Sequence, residues 1–239
     1  MKARGREADS RRAGGCEVSK PRAASAGRCQ NGGMDVPDDQ RWNHNIEYHS
    51  LLAEAVADAK DVLDVGCGEG QLARRIRRSG AAVTGIDPDP VSIELARAQS
   101  AEDDITYLRA DFLEYPFEPN SFDGIVSIAA LHHMDSTRAL TRMRELLRPG
   151  GTLALIGMAR NGSPRDLPWE AAALLTSCKD RLFRTQWPHP SPVVWPPPET
   201  YGEIRRRAAD LLPGVRYRRH LLWRYSLVWT KPDPAAAQG

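Results

Sequence analysis

Residues 62 to 70 read Val-Leu-Asp-Val-Gly-Cys-Gly-Glu-Gly and set Gly66, Gly68 and Gly70 at alternate positions behind a short apolar run. Glycines in such a turn let the backbone take positive φ and approach a ligand closely. A dinucleotide-binding turn would read G-x-G-x-x-G with its last glycine at position 71, and that position holds Gln71. The spacing therefore argues against a nicotinamide cofactor. Asp87 ends an expected strand within VTGIDPDP, 21 residues after Gly66, and places a carboxylate where an unphosphorylated ribose would be held. Ala110-Asp111-Phe112 follows another apolar run. His132 and His133 follow FDGIVSIAAL, and either imidazole is suited to general-base work near neutral pH. Bland alternatives stand beside each: turn or helix capping for Asp64 and Asp111, and loop stabilisation or capping for the histidines.

Groups of this kind need strand ends to hold them. An amphipathic helix is predicted over 46–59 and a short strand over 61–65. A helix over 71–78 closes at Ser79-Gly80, and a second strand covers 81–86. Asp89 caps the next helix, with Pro90 in its first turn and residues 91 to 99 continuing it. Strands follow at 105–109 and, as the most apolar stretch, at 122–130. Ser136 or Thr137 opens a helix to Leu147, which Pro149-Gly150-Gly151 stops before a strand at 152–158. Residues 163 to 198 carry eight prolines around one helix candidate, 169–183, and read as an inserted lid. Thr200 and Glu203 form a capping box for a helix ending near Leu212, and strands near 216–222 and 225–230 finish the domain. The alternation implies an α/β fold: a doubly wound, Rossmann-like, mostly parallel sheet with helices on both faces, whose ligands bind at the carboxyl ends of its strands.

The 239 residues are 41% hydrophobic and 27% charged, an ordinary soluble mix. No apolar run approaches the ~20 residues of a spanning helix, and no apolar segment follows the N-terminal arginines, so a cytoplasmic protein without membrane contact is expected. Cys16, Cys29, Cys67 and Cys178 show neither CxxC nor metal-ligand spacing, so no metal site is expected. The net charge of +2 hides an acidic centre between basic ends. Residues 1 to 33 carry eight basic against three acidic side chains and almost no aliphatic ones. They read as a disordered tail, with a nucleic-acid arm or an upstream start ahead of Met34 as alternatives. Residues 232 to 239 read as a frayed end. Seven arginines between 205 and 224 raise nucleic-acid binding or modification as the rival function, although the core is acidic and no N/D-P-P-Y/F motif follows the 122–130 strand.

The glycine turn, Asp87, Ala110-Asp111-Phe112, FDGIVSIAALHHM and LLRPGGTLALIG, in that order, resemble the class I S-adenosylmethionine-dependent methyltransferases, and within them the bacterial small-molecule group that includes ubiquinone/menaquinone C-methylase-like enzymes. The resemblance covers about residues 42 to 158 well. It implies a seven-stranded sheet with six parallel strands and one antiparallel, S-adenosylmethionine as cofactor, S-adenosylhomocysteine as product and a small organic acceptor. It also implies that Gly66, Cys67 and Gly68 pack against the methionine part of the cofactor, with Asp64 near its ammonium. Asp87 would hold the ribose with Pro88 beside the adenine, Asp111 the adenine amino group, Phe112 the ring face, and Ile128 would pass under the methyl. The segment Arg41-Trp42-Asn43-His44-Asn45 with Tyr48 and His49 belongs in resembling enzymes to a helix that closes over the site. Tyr48 or His49 would then meet the cofactor carboxylate, and Trp42 and His44 would wall the acceptor pocket. Trp187, His189 and Trp195 are lid candidates for the same pocket, though those rings could equally only fasten the loop.

Overall fold

The computed structural model describes residues 36–101, 103–187 and 194–234. The tail expected over 1–33, His189 and the last residues of the expected frayed end lie outside them. Seven strands form one sheet in the order β3-β2-β1-β4-β5-β7-β6: β1 Asp61–Val65, β2 Ala82–Asp87, β3 Ile105–Arg109, β4 Phe122–Ile128, β5 Leu147–Met158, β6 Arg216–Arg219 and β7 Arg224–Thr230. β7 runs antiparallel to both of its neighbours, and the other strands are parallel to one another. The central strands β1 and β4 are buried almost throughout, as strands covered on both faces must be.

Alternate residues feed two cores. Leu63 and Val65 of β1 and Ile125 of β4 pack under α4 (Ser136–Leu146) and α6 (Tyr201–Leu211), against Leu140, Met143, Ile204 and Ala208. Val62 and Val126 turn the other way, toward Leu52 of α1 (His49–Ala55), Leu72 and Ile76 of α2 (Gln71–Arg77) and Ile93 of α3 (Pro90–Gln99). The caps are local and strong. Asp89 accepts from the Ser92 N–H at 2.8 Å, and Thr200 and Glu203 cap α6 reciprocally. α4 opens at Ser136 as expected, and Asp135 caps it by accepting from the Arg138 N–H at 2.8 Å.

Four expectations need correction. The helix over 46–59 is a 3-10 turn, Ile46–Tyr48, followed by α1, which ends at Ala55. β4 ends at Ile128, because Ala129 takes φ +52° and throws the chain out of the sheet. β5 begins at Leu147 and takes in Pro149-Gly150-Gly151, since Leu147 pairs with Phe122 across an irregularity. β6 stops at Arg219, because Leu222 and Trp223 both adopt positive φ before β7. Within the expected insert, α5 (Leu167–Phe183) buries Ala173 yet leaves Leu174, Leu175, Leu182 and Phe183 exposed.

Candidate cofactor and acceptor site

The carboxyl ends of β1, β2 and β4 open onto a cavity of about 340 Å³. Its floor is the glycine turn. Gly66, Gly68 and Gly70 all have positive φ, and a Cβ on Gly66 would overlap that of Ala130. The turn is held down by the N–H groups of Gly66 and Cys67, which both donate to the Ile86 carbonyl, at 2.8 and 3.2 Å. Gly66, Cys67, Asp87, Pro88, Asp111, Phe112, Ile128, His132 and His133 all line the cavity, so most of the residues singled out in the sequence converge there. Gly68 does not line it. Its N–H donates to the Asp87 carboxylate at 3.0 Å, and the other Asp87 oxygen takes the Asp89 N–H at 2.9 Å. Asp87 thus ties the turn to the tip of β2. Asp111 accepts from the Leu113 N–H at 2.8 Å, so the turn-capping alternative also holds for this residue.

Asp64 is fully buried and stands behind the wall rather than in it, and neither carboxylate oxygen has a hydrogen-bond partner. Burial, and then the nearby charge of Asp87, push its carboxyl up to about 7. An acid without donors in so dry a place is one a cationic ligand would relieve. His132 and His133 leave β4 with ring centroids 4.1 Å apart. Burial, reinforced by His133 and by Arg224, lowers His132 to about 4, and burial also lowers His133. His132 is therefore a neutral imidazole at pH 7 and a weaker base than an ordinary one.

The N-terminal segment supplies Asn43, Asn45, Ile46 and His49 to the cavity. Tyr48 points elsewhere, with its ring edge-on to His220 at 5.1 Å. The four residues expected to meet the acceptor do not line the cavity. Trp42 lies under the Arg184 guanidinium at 4.6 Å and donates to Glu47, while His44 sits 3.7 Å from the Asp180 carboxylate and against Gln186. Trp187 lies under Arg41, and its indole N–H donates to Glu69 at 2.8 Å. Trp195 packs edge-on against Trp223. These rings fasten the 184–187 and 194–196 segments to the domain, and only Glu69 and Val194 carry that layer into the cavity wall. Met134, Met158 and Val194 complete the lining. None was singled out in the sequence, although the rule that ligands sit at the carboxyl ends of strands points to Met158.

Residues 63–155 match the family described as a methyltransferase domain. An uncharacterized methyltransferase of Mycobacterium tuberculosis is 40% identical over 200 residues, covering 81% of this chain and 99% of its own. The phthiotriol/phenolphthiotriol dimycocerosates methyltransferase of Mycobacterium leprae is 31% identical over 124 residues, 51% of this chain and 46% of its own. Among solved structures, a Haemonchus contortus phosphoethanolamine N-methyltransferase 2 in complex with phosphomonomethylethanolamine and S-adenosylhomocysteine shares the fold. Its TM-score is 0.52 at 18% identity, over 73% of this chain and 49% of that one. A seven-stranded sheet with one antiparallel strand, a glycine turn at the head of its first strand and a relative matched over nearly its whole length lead to one conclusion: this chain belongs to the class I S-adenosylmethionine-dependent methyltransferases.

Proposed function

We propose that the chain binds S-adenosylmethionine in the cavity above the glycine turn and methylates a small organic acceptor held on the side of Met134, Met158 and Asn45. The observation that carries this reading is the pairing of a positive-φ glycine floor with two carboxylates, Asp87 in the wall and the donor-less Asp64 behind it. That set suits a ligand with ribose hydroxyls, an ammonium and a sulfonium but no phosphate. When bound, the cofactor supplies an activated methyl group, so the protein has to align the acceptor and exclude water. Gly66 and Cys67 hold the methionine end, Asp87 accepts from the ribose, Pro88, Asp111 and Phe112 flank the adenine, and Ile128 forms the floor where transfer occurs. His132 and His133 position the acceptor as neutral groups. Val194, from the expected insert, contributes to the acceptor side, and the M. leprae relative's named substrate supports an organic acceptor.

Nucleic acid is the competing outcome. Two of the seven arginines are spent internally, Arg207 on Glu199 and Ser136 and Arg219 on Asp166 and Asn161, and a third, Arg224, is buried against Asn45 and so withdrawn from any surface stripe. Incubation with a methyl-labelled donor and, in separate arms, pooled small metabolites and total RNA tests the reading. Label in the metabolite arm supports it, and label in the RNA arm alone, falling steeply with salt, overturns the small-molecule acceptor.

A further inference from the structure

Arg41, Arg74 and Arg224 are the buried arginines among the described residues. The first two have acids. Arg74 bonds both Asp38 oxygens, at 2.8 and 2.9 Å, and Arg41 lies 3.1 Å from Asp38 and 3.8 Å from Glu69. Arg224 is 8% exposed and forms no ion pair among the described residues. Its Nε and Nη2 donate to the Asn45 side-chain oxygen at 3.2 and 2.7 Å, and its Nη1 to the Leu222 carbonyl at 2.8 Å. All of these acceptors are neutral. A guanidinium taken out of water with no paired carboxylate, and with only the Glu47 carboxylate acting on it beyond ion-pair distance, is costly, and neutral acceptors offset only part of that cost.

Three residues of the cavity wall locate this charge. Asn45 binds it, Met158 pairs with it across the β5–β7 ladder, and His132 is depressed in part by its field. It therefore stands on the acceptor side, away from the carboxylates beneath the glycine turn. The backbone is strained to set it there, since Leu222 and Trp223 both take φ near +60° directly before it, a conformation disfavoured for a residue with a side chain.

We infer that Arg224, presented through Asn45, is the anion anchor of the acceptor site, and that the acceptor carries a carboxylate or another ionised oxygen. The inference rests on the acceptor side proposed above. Arg224 does not itself line the cavity but stands directly behind Asn45, which does. The site is thus charge-sorted from behind its wall, with Asp64 behind the glycine turn and the guanidinium behind Asn45. This arrangement also discriminates: a neutral acceptor of the same shape would leave the buried cation uncompensated, and an amine would face it directly.

The test uses the full chain saturated with S-adenosylhomocysteine and titrated with a graded series of aliphatic and aromatic carboxylates, each beside its neutral amide. At least one acid should bind, and bind tenfold or more tightly than its amide. Arg224→Lys should keep much of that preference, while Arg224→Gln should reduce it to less than about twofold with S-adenosylhomocysteine affinity unchanged. Because Arg224→Gln removes buried hydrogen bonds at the end of β7 and so tests folding as well as binding, the wild-type comparison of acids with amides stands on its own. Amides binding as well as acids, no acid of the series binding, or a preference that survives in Arg224→Gln would each overturn the anchor. Failure of S-adenosylhomocysteine itself to bind would instead defeat the cofactor reading on which the anchor rests.

Discussion

The two sides of the cavity are built in opposite ways. The side above the glycine turn is assembled from neighbours in sequence: turn, strand tip and cap lie within residues 64 to 89, and Asp87 reaches back only as far as Gly68. The other side is assembled from a distance. Asn45 meets Arg224 across 179 residues, and Met158 comes from the far end of β5. One side carries carboxylates, one of them without donors, and the other a guanidinium without an acid. Such a division lets a chain keep a fixed holder for a common ligand while the acceptor side varies with the loops and termini that furnish it.

The largest effect should come from breaking the local side at its tightest point. Gly66→Val places a branched side chain at φ +72° and against Ala130, which should cost about 3 kcal/mol or more of stability and abolish turnover. Denaturant unfolding and a methyl-transfer assay read both, and a stable, active variant would show that the turn is less constrained than its geometry says. Asp87→Ala comes next. Removing a charged acceptor should weaken S-adenosylmethionine by roughly 2 to 4 kcal/mol, seen by calorimetry. Stability should also fall by about 1 to 3 kcal/mol, because the Gly68 and Asp89 N–H groups lose their partner. An unchanged dissociation constant would remove Asp87 from the site.

How much of each side can be read from the chain follows from the same contrast. The glycine turn, Asp87, the Asp89-Pro90 cap and the Thr200/Glu203 capping box are short-range patterns whose physics is complete within a few residues, and the structure shows each as a local feature. The acceptor side has no such pattern. Trp42, His44, Trp187 and Trp195 stand out by composition, but their rings are used on Arg184, Asp180, Glu69 and Trp223, while Asn45 and Arg224 gain meaning only through each other. Arg224 reads in the sequence as one more member of a basic stripe, and only burial separates it from Arg216 or Arg218. Ala129 is a further case, since nothing about an alanine announces a positive φ.

A smaller effect with a distinctive sign concerns Asp64. Its folded-state carboxyl titrates near 7 against an ordinary value of 3.8, so the folded protein holds an extra proton between those values. The stability this contributes is complete below about pH 4 and is lost as the pH rises through 7. His132, lowered from 6.5 to about 4, acts in the opposite sense, contributing above pH 6.5 and losing its contribution as the pH falls through 4. Asp64→Asn cannot ionise. Without cofactor it should match the wild type near pH 4 and exceed it by about 1 to 4 kcal/mol at pH 8. With the anion gone, it should also bind S-adenosylmethionine about tenfold more weakly. Parallel pH–stability curves for the two proteins would contradict the buried charge.

The smallest effect is expected at the histidines. A base titrating near 4 contributes little proton abstraction at pH 7. His132→Ala and His133→Ala should therefore each lower turnover by less than about tenfold, and the wild-type rate should show no histidine limb between pH 6 and 8. A loss of 10²-fold or more, with a limb in that range, would restore a general base and shift weight from the guanidinium back to the imidazoles.

The central claim, that the acidic side of the cavity is made for a sulfonium cofactor without phosphates, is tested most directly by calorimetric titration of the full chain with S-adenosylmethionine, S-adenosylhomocysteine and NAD under one set of conditions. Micromolar binding of the first two, with none of NAD, is the result expected from a glycine turn lacking the third position of the dinucleotide fingerprint. Micromolar binding of NAD with neither of the others would contradict the account at its base.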